Sequence, residues 1–185
     1  MKKIFILSGF AGAGKNAIIN NLLEIESSLT YIPSYTTRNK REGEAQGNPY
    51  QFVSMEQFQH MVAKNDFIEY EEVHGNLYGT PLSSYELAFK EGKTIVKDID
   101  VNGAVKFKER FPQAALIFIQ PTNPEDVLER MRNRGDKEAD IMKRMQRIEY
   151  ELQLKDKFDY TVYNDDLAQA TKECLEIIKN EAELS

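Results

Sequence analysis

The chemistry of this chain starts at Gly9-Phe10-Ala11-Gly12-Ala13-Gly14-Lys15, where two glycines stand five positions apart and a lysine follows the second. That G-x-x-x-x-G-K spacing lets successive backbone N–H groups curl around a phosphate. The positive end of the next helix stands behind them, and the lysine ammonium reaches the outer oxygens of a polyphosphate. A glycine-rich turn by itself binds nothing, but this one follows an apolar strand and opens an amphipathic helix, the setting the motif requires. The position after the lysine normally offers a Ser or Thr hydroxyl to magnesium. Here it is Asn16, followed by Ala17. The Asn16 amide oxygen is a neutral hard donor, so the expectation is that Mg2+ binding survives but is weakened.

A second set of chemical groups is basic. From Arg130 to Arg147, seven basic residues stand against three acids, in a chain whose net charge is -6. Arg130 and Arg134 lie four apart, on one helix face, and Arg144 follows on the next helix. Arg132, Lys137, Lys143 and Arg147 read as an ordinary solvated face. The acidic balance speaks against partners held by broad electrostatics, which excludes nucleic acid and anionic membrane surfaces. No stretch approaches the roughly 20 apolar residues of a membrane span, and the first residues read as a buried strand rather than a signal peptide. The single cysteine, Cys174, rules out an internal disulfide and reads as a core residue beside Leu175 and Ile178, which fits a reducing, cytoplasmic setting. There is no convincing His, Ser or Cys constellation for nucleophilic catalysis, and His74 reads as a turn residue.

The elements that must position these groups alternate in type, predicting an α/β fold with a mostly parallel sheet covered by helices on both faces. Strands are expected over 3–7, 68–73, 77–78, 94–99, 115–119 and 160–163. Helices are expected over 15–24, after Ser54, over 82–91, up to Pro112, over 124–134 and 139–154, and at the C-terminus. Ser54 with Gln57 is a capping box, Gly75-Asn76 a turn, and Asn123-Pro124 a helix start. Asp98 and Asp100 close an apolar strand, where such a sheet presents ligand-binding side chains. Lys97 in that strand is unexpected; it implies either a carboxylate partner or an edge position. The polar segment over 39–49 reads as a loop above a site.

From Ser34 the chain reads S-Y-T-T-R-N-K-R-E-G-E, then G-N-P-Y-Q-F-V-S, then F-I-E-Y-E-E-V-H-G-N-L-Y-G-T. Later come D-I-D-V-N-G from Asp98, R-M-R-N-R-G from Arg130 and N-D-D-L from Asn164. With these motifs in this order, the chain resembles the guanylate kinase family almost end to end.

The resemblance implies a P-loop kinase that moves the γ-phosphoryl group of ATP onto GMP, and onto dGMP as well, in purine nucleotide metabolism. Its ATP site would comprise Gly9, Phe10, Ala11, Gly12, Ala13, Gly14, Lys15, Asn16, Ala17 and Asn164. Ser34, Arg38, Arg41, Tyr50 and Tyr78 would hold the GMP phosphate, while Glu69 and Thr80 read the base. A carboxylate matches the adjacent N1–H and N2–H donors of guanine and repels the N1 lone pair of adenine. Asp98 is assigned to GMP and Asp100, with Asn16, to Mg2+, although the residues alone leave the roles of the two aspartates undivided. Lys15, Arg38, Arg130, Arg134 and Arg144 would carry catalysis, the last three as a lid over the phosphates. Between Arg134 and Ile141 the chain is one residue shorter than the common pattern.

One domain over 1–185 is expected: a core of 1–33, 82–125 and 157–185, a GMP-binding insertion over 34–81 and a lid over 126–156. The competing readings are a guanylate-kinase-like binding module without catalysis, to which Asn16 and Ala17 lend support, and a P-loop kinase acting on a phosphorylated sugar.

Overall fold

Six consecutive strand residues, Ile4–Gly9 (β1), are all buried, so this strand needs cover on both faces. It pairs in parallel with Thr94–Asp98 (β7) on one side and Ala115–Gln120 (β8) on the other. Leu29–Thr30 (β2) and Tyr160–Tyr163 (β9) complete a five-stranded parallel sheet of order β2-β7-β1-β8-β9. The computed structural model describes residues 4–10, 12–41, 43–47, 50–73, 75–123, 125–133, 135 and 137–183; the side chains of Val73, Arg130, Met131, Asp140, Arg144 and Glu183 are outside that description.

Alternation along β1 sends Phe5 and Leu7 to one face and Ile4 and Ile6 to the other. The first face is covered by Ile18 and Leu22 of Lys15–Ile25 (α1) and by Cys174 and Ile178 of Leu167–Glu183 (α7). Val127 of Glu125–Asn133 (α5) and Ile141 and Ile148 of Glu138–Gln153 (α6) join the same core. The second face packs on Tyr85 of Leu82–Lys90 (α3) and on Ala104 and Phe107 of Val101–Arg110 (α4). Cys174 is buried as expected, and burial pushes its thiol up to about 12, leaving it unreactive at neutral pH.

A second, four-stranded sheet of order β4-β3-β6-β5 stands between β2 and α3 in the chain. It comprises Ser34–Thr36 (β3), Tyr50–Phe52 (β4), Phe67–Val73 (β5) and Asn76–Pro81 (β6). β5 and β6 form an antiparallel hairpin about the expected turn, β6 also pairs antiparallel with β3, and β3 runs parallel to β4. The helix Met55–Ala63 (α2) carries the predicted capping box: Ser54 Oγ accepts the Gln57 N–H and the Gln57 side chain accepts the Ser54 N–H. Its Phe58 stacks on Phe67 of β5 with ring centroids 4.6 Å apart, fastening helix to sheet.

The sequence does not signal β2, β3 or β4, which are two or three residues long and too short to show alternation. The predicted helix start at Asn123 is observed, its Oδ1 accepting the Glu125 N–H at 3.1 Å; Pro124 lies outside the described residues. Of the two readings for Lys97, the edge position is corrected: β7 lies between β2 and β1, and Lys97 is fully buried, with the Asp98 and Glu69 carboxylates acting on its charge.

Candidate active site

β1 delivers the glycine loop to the carboxyl edge of the parallel sheet. Gly9 has φ +125, and a Cβ there would collide with the Ile119 carbonyl oxygen, so only glycine allows β1 and β8 to run this close. The Phe10 side chain turns into the core, edge-to-face on Phe118 at 5.5 Å, so this residue presents only backbone to a ligand. Ala13 is buried as well, its N–H donating to the Phe10 carbonyl at 3.1 Å. Gly14 caps α1 in the left-handed region at φ +88.

Lys15 folds back over the loop, its Nζ donating to the Gly9 and Phe10 carbonyls at 2.8 Å each. Burial lowers the pKa of this ammonium, and Asp98, Glu151 and Asp100 oppose that fall. Asn16 is exposed at the start of α1 beside Ala17. Asn164 is buried, and its Nδ2 donates to the Ala13 carbonyl at 2.7 Å, bracing the loop from the end of β9. Within N-D-D-L, Asp166 caps the start of α7, its Oδ1 accepting the Gln169 N–H at 2.8 Å. Ala11 lies outside the described residues.

The second sheet faces this edge across a cavity of about 200 Å³ lined by Ser34, Tyr50, Glu69, Glu71, Tyr78, Asp98, Ile99 and Asp100. Six of these eight were singled out from sequence, Glu71 and Ile99 were not, and the fold draws the eight from β3, β4, β5, β6 and the turn from the end of β7 into α4. Thr80 is fully buried beside them and donates its hydroxyl to Glu69 Oε1 at 2.5 Å. Burial raises the pKa of the Glu69 carboxyl, while the Thr80 hydrogen bond and the Lys97 charge draw it back. Tyr50 meets Tyr78 edge-to-face at 5.5 Å, and burial pushes its hydroxyl up to about 12, so it stays protonated as a donor. Asp98 accepts from Tyr31 Oη at 2.7 Å, whereas Asp100 Oδ1 caps α4 through the N–H groups of Asn102 and Gly103 at 3.1 and 3.2 Å.

Arg38 reaches Glu44 with one guanidinium nitrogen, Nη2, at 2.7 and 3.0 Å from the two carboxylate oxygens, and gives Nη1 to the Asn39 carbonyl at 2.8 Å. The rings of Tyr50 and Phe52 flank it, each centroid 5.4 Å away. Arg41 is exposed and gives its backbone N–H to Glu44 at 2.7 Å. Glu44 therefore organises both arginines, although in sequence it is only one acid in a polar segment.

Arg130 lies on α5 and Arg144 on α6. Their side chains, and Arg134 altogether, are outside the described residues. Arg132 pairs with Glu138 at the surface, as expected of a solvated face. Arg147 departs from that reading: it is half-buried and its Nε donates to the buried Glu151 at 2.8 Å. Sequence periodicity places Glu151 on a helix, but nothing in it marks the carboxylate as buried near Lys15.

A parallel sheet that ends in a braced glycine loop and lysine, facing a polar cavity, defines the P-loop nucleotide-binding class. Residues 1–181 match the family model described as guanylate kinase. A guanylate kinase of Prochlorococcus marinus subsp. pastoris is 38% identical over 181 residues, covering 97% of this chain and 98% of that one. One from Thermotoga maritima is 38% identical over 180 residues, covering 97% and 87%. The crystal structure of guanylate kinase from Anaplasma phagocytophilum superposes with TM-score 0.79 at 30% identity, covering 96% of this chain and 85% of that one. The chain belongs to the guanylate kinase family.

Proposed function

We infer that this protein transfers the γ-phosphoryl group of ATP to GMP, and to dGMP, giving ADP and the nucleoside diphosphate. The observation that carries this reading is the half-buried Glu69 bonded to the buried Thr80 in a cavity shared with Asp98, a residue whose charge is felt at Lys15. A carboxylate acceptor in a buried polar site selects guanine over adenine, because the adenine N1 lone pair would face it unpaired.

In this reading Ser34, Arg38, Arg41, Tyr50 and Tyr78 take the GMP phosphate. Arg38 keeps donors beyond those given to Glu44 and Asn39, so it can hold its loop and the phosphate together. The loop from Gly9 to Ala17 cradles the ATP phosphates, and Asn164 fixes that cradle through Ala13. Lys15 leaves the Gly9 and Phe10 carbonyls for the β and γ oxygens. A GMP phosphate oxygen, already ionised, forms the new bond to Pγ as the bond from Pγ to the bridging oxygen breaks, the electron pair leaving with ADP. Charge on the transferring group is met by Lys15, Arg38, Arg130, Arg134 and Arg144. No general base is required.

Among the described residues, no cluster of three His, Cys, Asp or Glu side chains could hold a metal. The donors that fit Mg2+ are the Asn16 amide oxygen and Asp100 Oδ2, which α4 capping leaves uncommitted, in keeping with an ion held mainly by nucleotide phosphates and water. Bound there, Mg2+ would neutralise charge on the β and γ oxygens. Residues 34–81 serve as the acceptor-binding region and 126–156 as the lid on a core of 1–33, 82–125 and 157–185. Among the described residues no helix is long and apolar enough to cross a membrane, and we place the reaction in the cytoplasm.

A coupled assay of ADP formation with Mg-ATP and GMP, dGMP, AMP, CMP or UMP tests this. Turnover confined to GMP and dGMP is expected. Turnover with none of the five would favour a binding module and overturn the reading.

A further inference from the structure

Lys97 is 0% exposed in the interior of a parallel sheet, where an ammonium without partners is strongly disfavoured. Its Nζ donates to the Ile32 carbonyl at 2.8 Å and to Ser34 Oγ at 2.7 Å, and lies 5.6 Å from the centroid of the Tyr31 ring. Both acceptors belong to the segment leading into β3. One side chain of the core sheet thus holds the strand that brings Ser34 to the acceptor cavity. An ammonium donates and never accepts, so a Ser34 oxygen that accepts from Lys97 turns its own hydrogen away from it. Ser34 lines the cavity together with Glu69 and Asp98.

We propose that Lys97 is a positioning residue for GMP: it fixes the Ser34 hydroxyl as a donor toward the bound nucleotide. This rests on the acceptor-site reading given under Proposed function. The charged and titratable groups around Lys97 are Asp98 on its own strand, Glu69 on β5 and Tyr31 ahead of β3; Tyr85 on α3 feels both carboxylates. Burial lowers the Lys97 ammonium to about 8, and Asp98 and Glu69 hold it from falling further. It is therefore charged below about pH 8 and loses its charge as the pH rises through that value.

The test is a double-mutant cycle on GMP kinetics at saturating Mg-ATP and pH 7, with melting curves to verify folding. Lys97→Met keeps the length of the side chain and removes the charge. It is expected to raise KM for GMP about tenfold, the scale of losing a charge-assisted hydrogen bond, with kcat within about threefold of wild type. Ser34→Ala is expected to raise KM similarly, and the double variant to be little worse than Ser34→Ala, because Lys97 acts through Ser34. An unchanged KM in a folded Lys97→Met protein, or two penalties that multiply, would overturn the proposal. An inactive wild type would instead remove the acceptor-site reading beneath it. If Lys97→Met does not fold, Lys97→Gln carries the test, because its amide can still donate to Ser34 Oγ but brings no charge: a KM for GMP several-fold above wild type is expected, and a wild-type KM overturns the proposal.

Discussion

Glu44 receives one nitrogen of Arg38 on both carboxylate oxygens, at 2.7 and 3.0 Å, and the backbone N–H of Arg41 on one of them, at 2.7 Å. A single carboxylate thus sets the direction of one of the two arginines proposed for the GMP phosphate and the backbone of the other. Arg38 gains from this in turn, since Glu44 favours its charged form and the Tyr50 and Phe52 rings flank its plane. We predict that Glu44→Gln raises KM for GMP by roughly tenfold and leaves KM for ATP unchanged, because a charge-assisted contact is replaced by a neutral one. Steady-state kinetics with each substrate varied in turn check this; equal changes in both KM values would point to general loosening.

The brace beneath the glycine loop makes a separate prediction. Asn164 donates to the Ala13 carbonyl at 2.7 Å, and a Cβ on Gly14 would collide with that same amide. Asn164→Ala leaves a loop carbonyl without its partner and is expected to cost about 1–3 kcal/mol of stability. Gly14→Ala adds strain at φ +88 and is expected to depress kcat more than tenfold, as the loop no longer presents its N–H groups correctly. Thermal melts and ATP-dependent kinetics on both variants give the comparison.

In the role proposed for Glu69, its ionisation sets an acid limit on GMP recognition. Burial raises its pKa, so the carboxylate is lost at a higher pH than an ordinary glutamate as solutions are acidified. Thr80 opposes that rise through its hydrogen bond. Thr80→Val removes the opposition, so the acid limb of kcat/KM for GMP should move to higher pH than in wild type, with the same substrate and buffers. A limb that stays in place or moves to lower pH would contradict the role given to Glu69.

Asn16 stands where a hydroxyl normally meets magnesium, and it is exposed at the start of α1. Asn16→Ser is predicted to lower the Mg2+ concentration for half-maximal turnover severalfold and to leave KM for GMP unchanged. A magnesium titration at fixed ATP reads this directly, and identical curves would show that Asn16 does not limit metal binding.

Most of the proposed acceptor cavity was legible in sequence because Ser34, Tyr50, Glu69 and Tyr78 belong to a dense run of polar and aromatic types between Ser34 and Thr80, and Asp98 and Asp100 close an apolar strand. The strands that hold them were less so. β3 and β4 are three residues each, and their pairing links positions far apart in the chain, which local periodicity does not encode. Lys97 was visible as a charge in an apolar strand, but its partners, a carbonyl and a hydroxyl from the Ile32 to Ser34 segment, emerge only once β2 and β7 lie side by side. Arg147 and Glu151 mislead for the opposite reason: an i,i+4 charged pair usually marks a solvated helix face, and here packing of α6 on the core buries the acid.

Label transfer tests the central claim most directly. Wild-type protein incubated with Mg2+, GMP and ATP carrying a labelled γ-phosphate is predicted to yield labelled GDP, and Lys15→Met protein to yield almost none. Label recovered only as inorganic phosphate, or no transfer to GMP at all, would contradict the account.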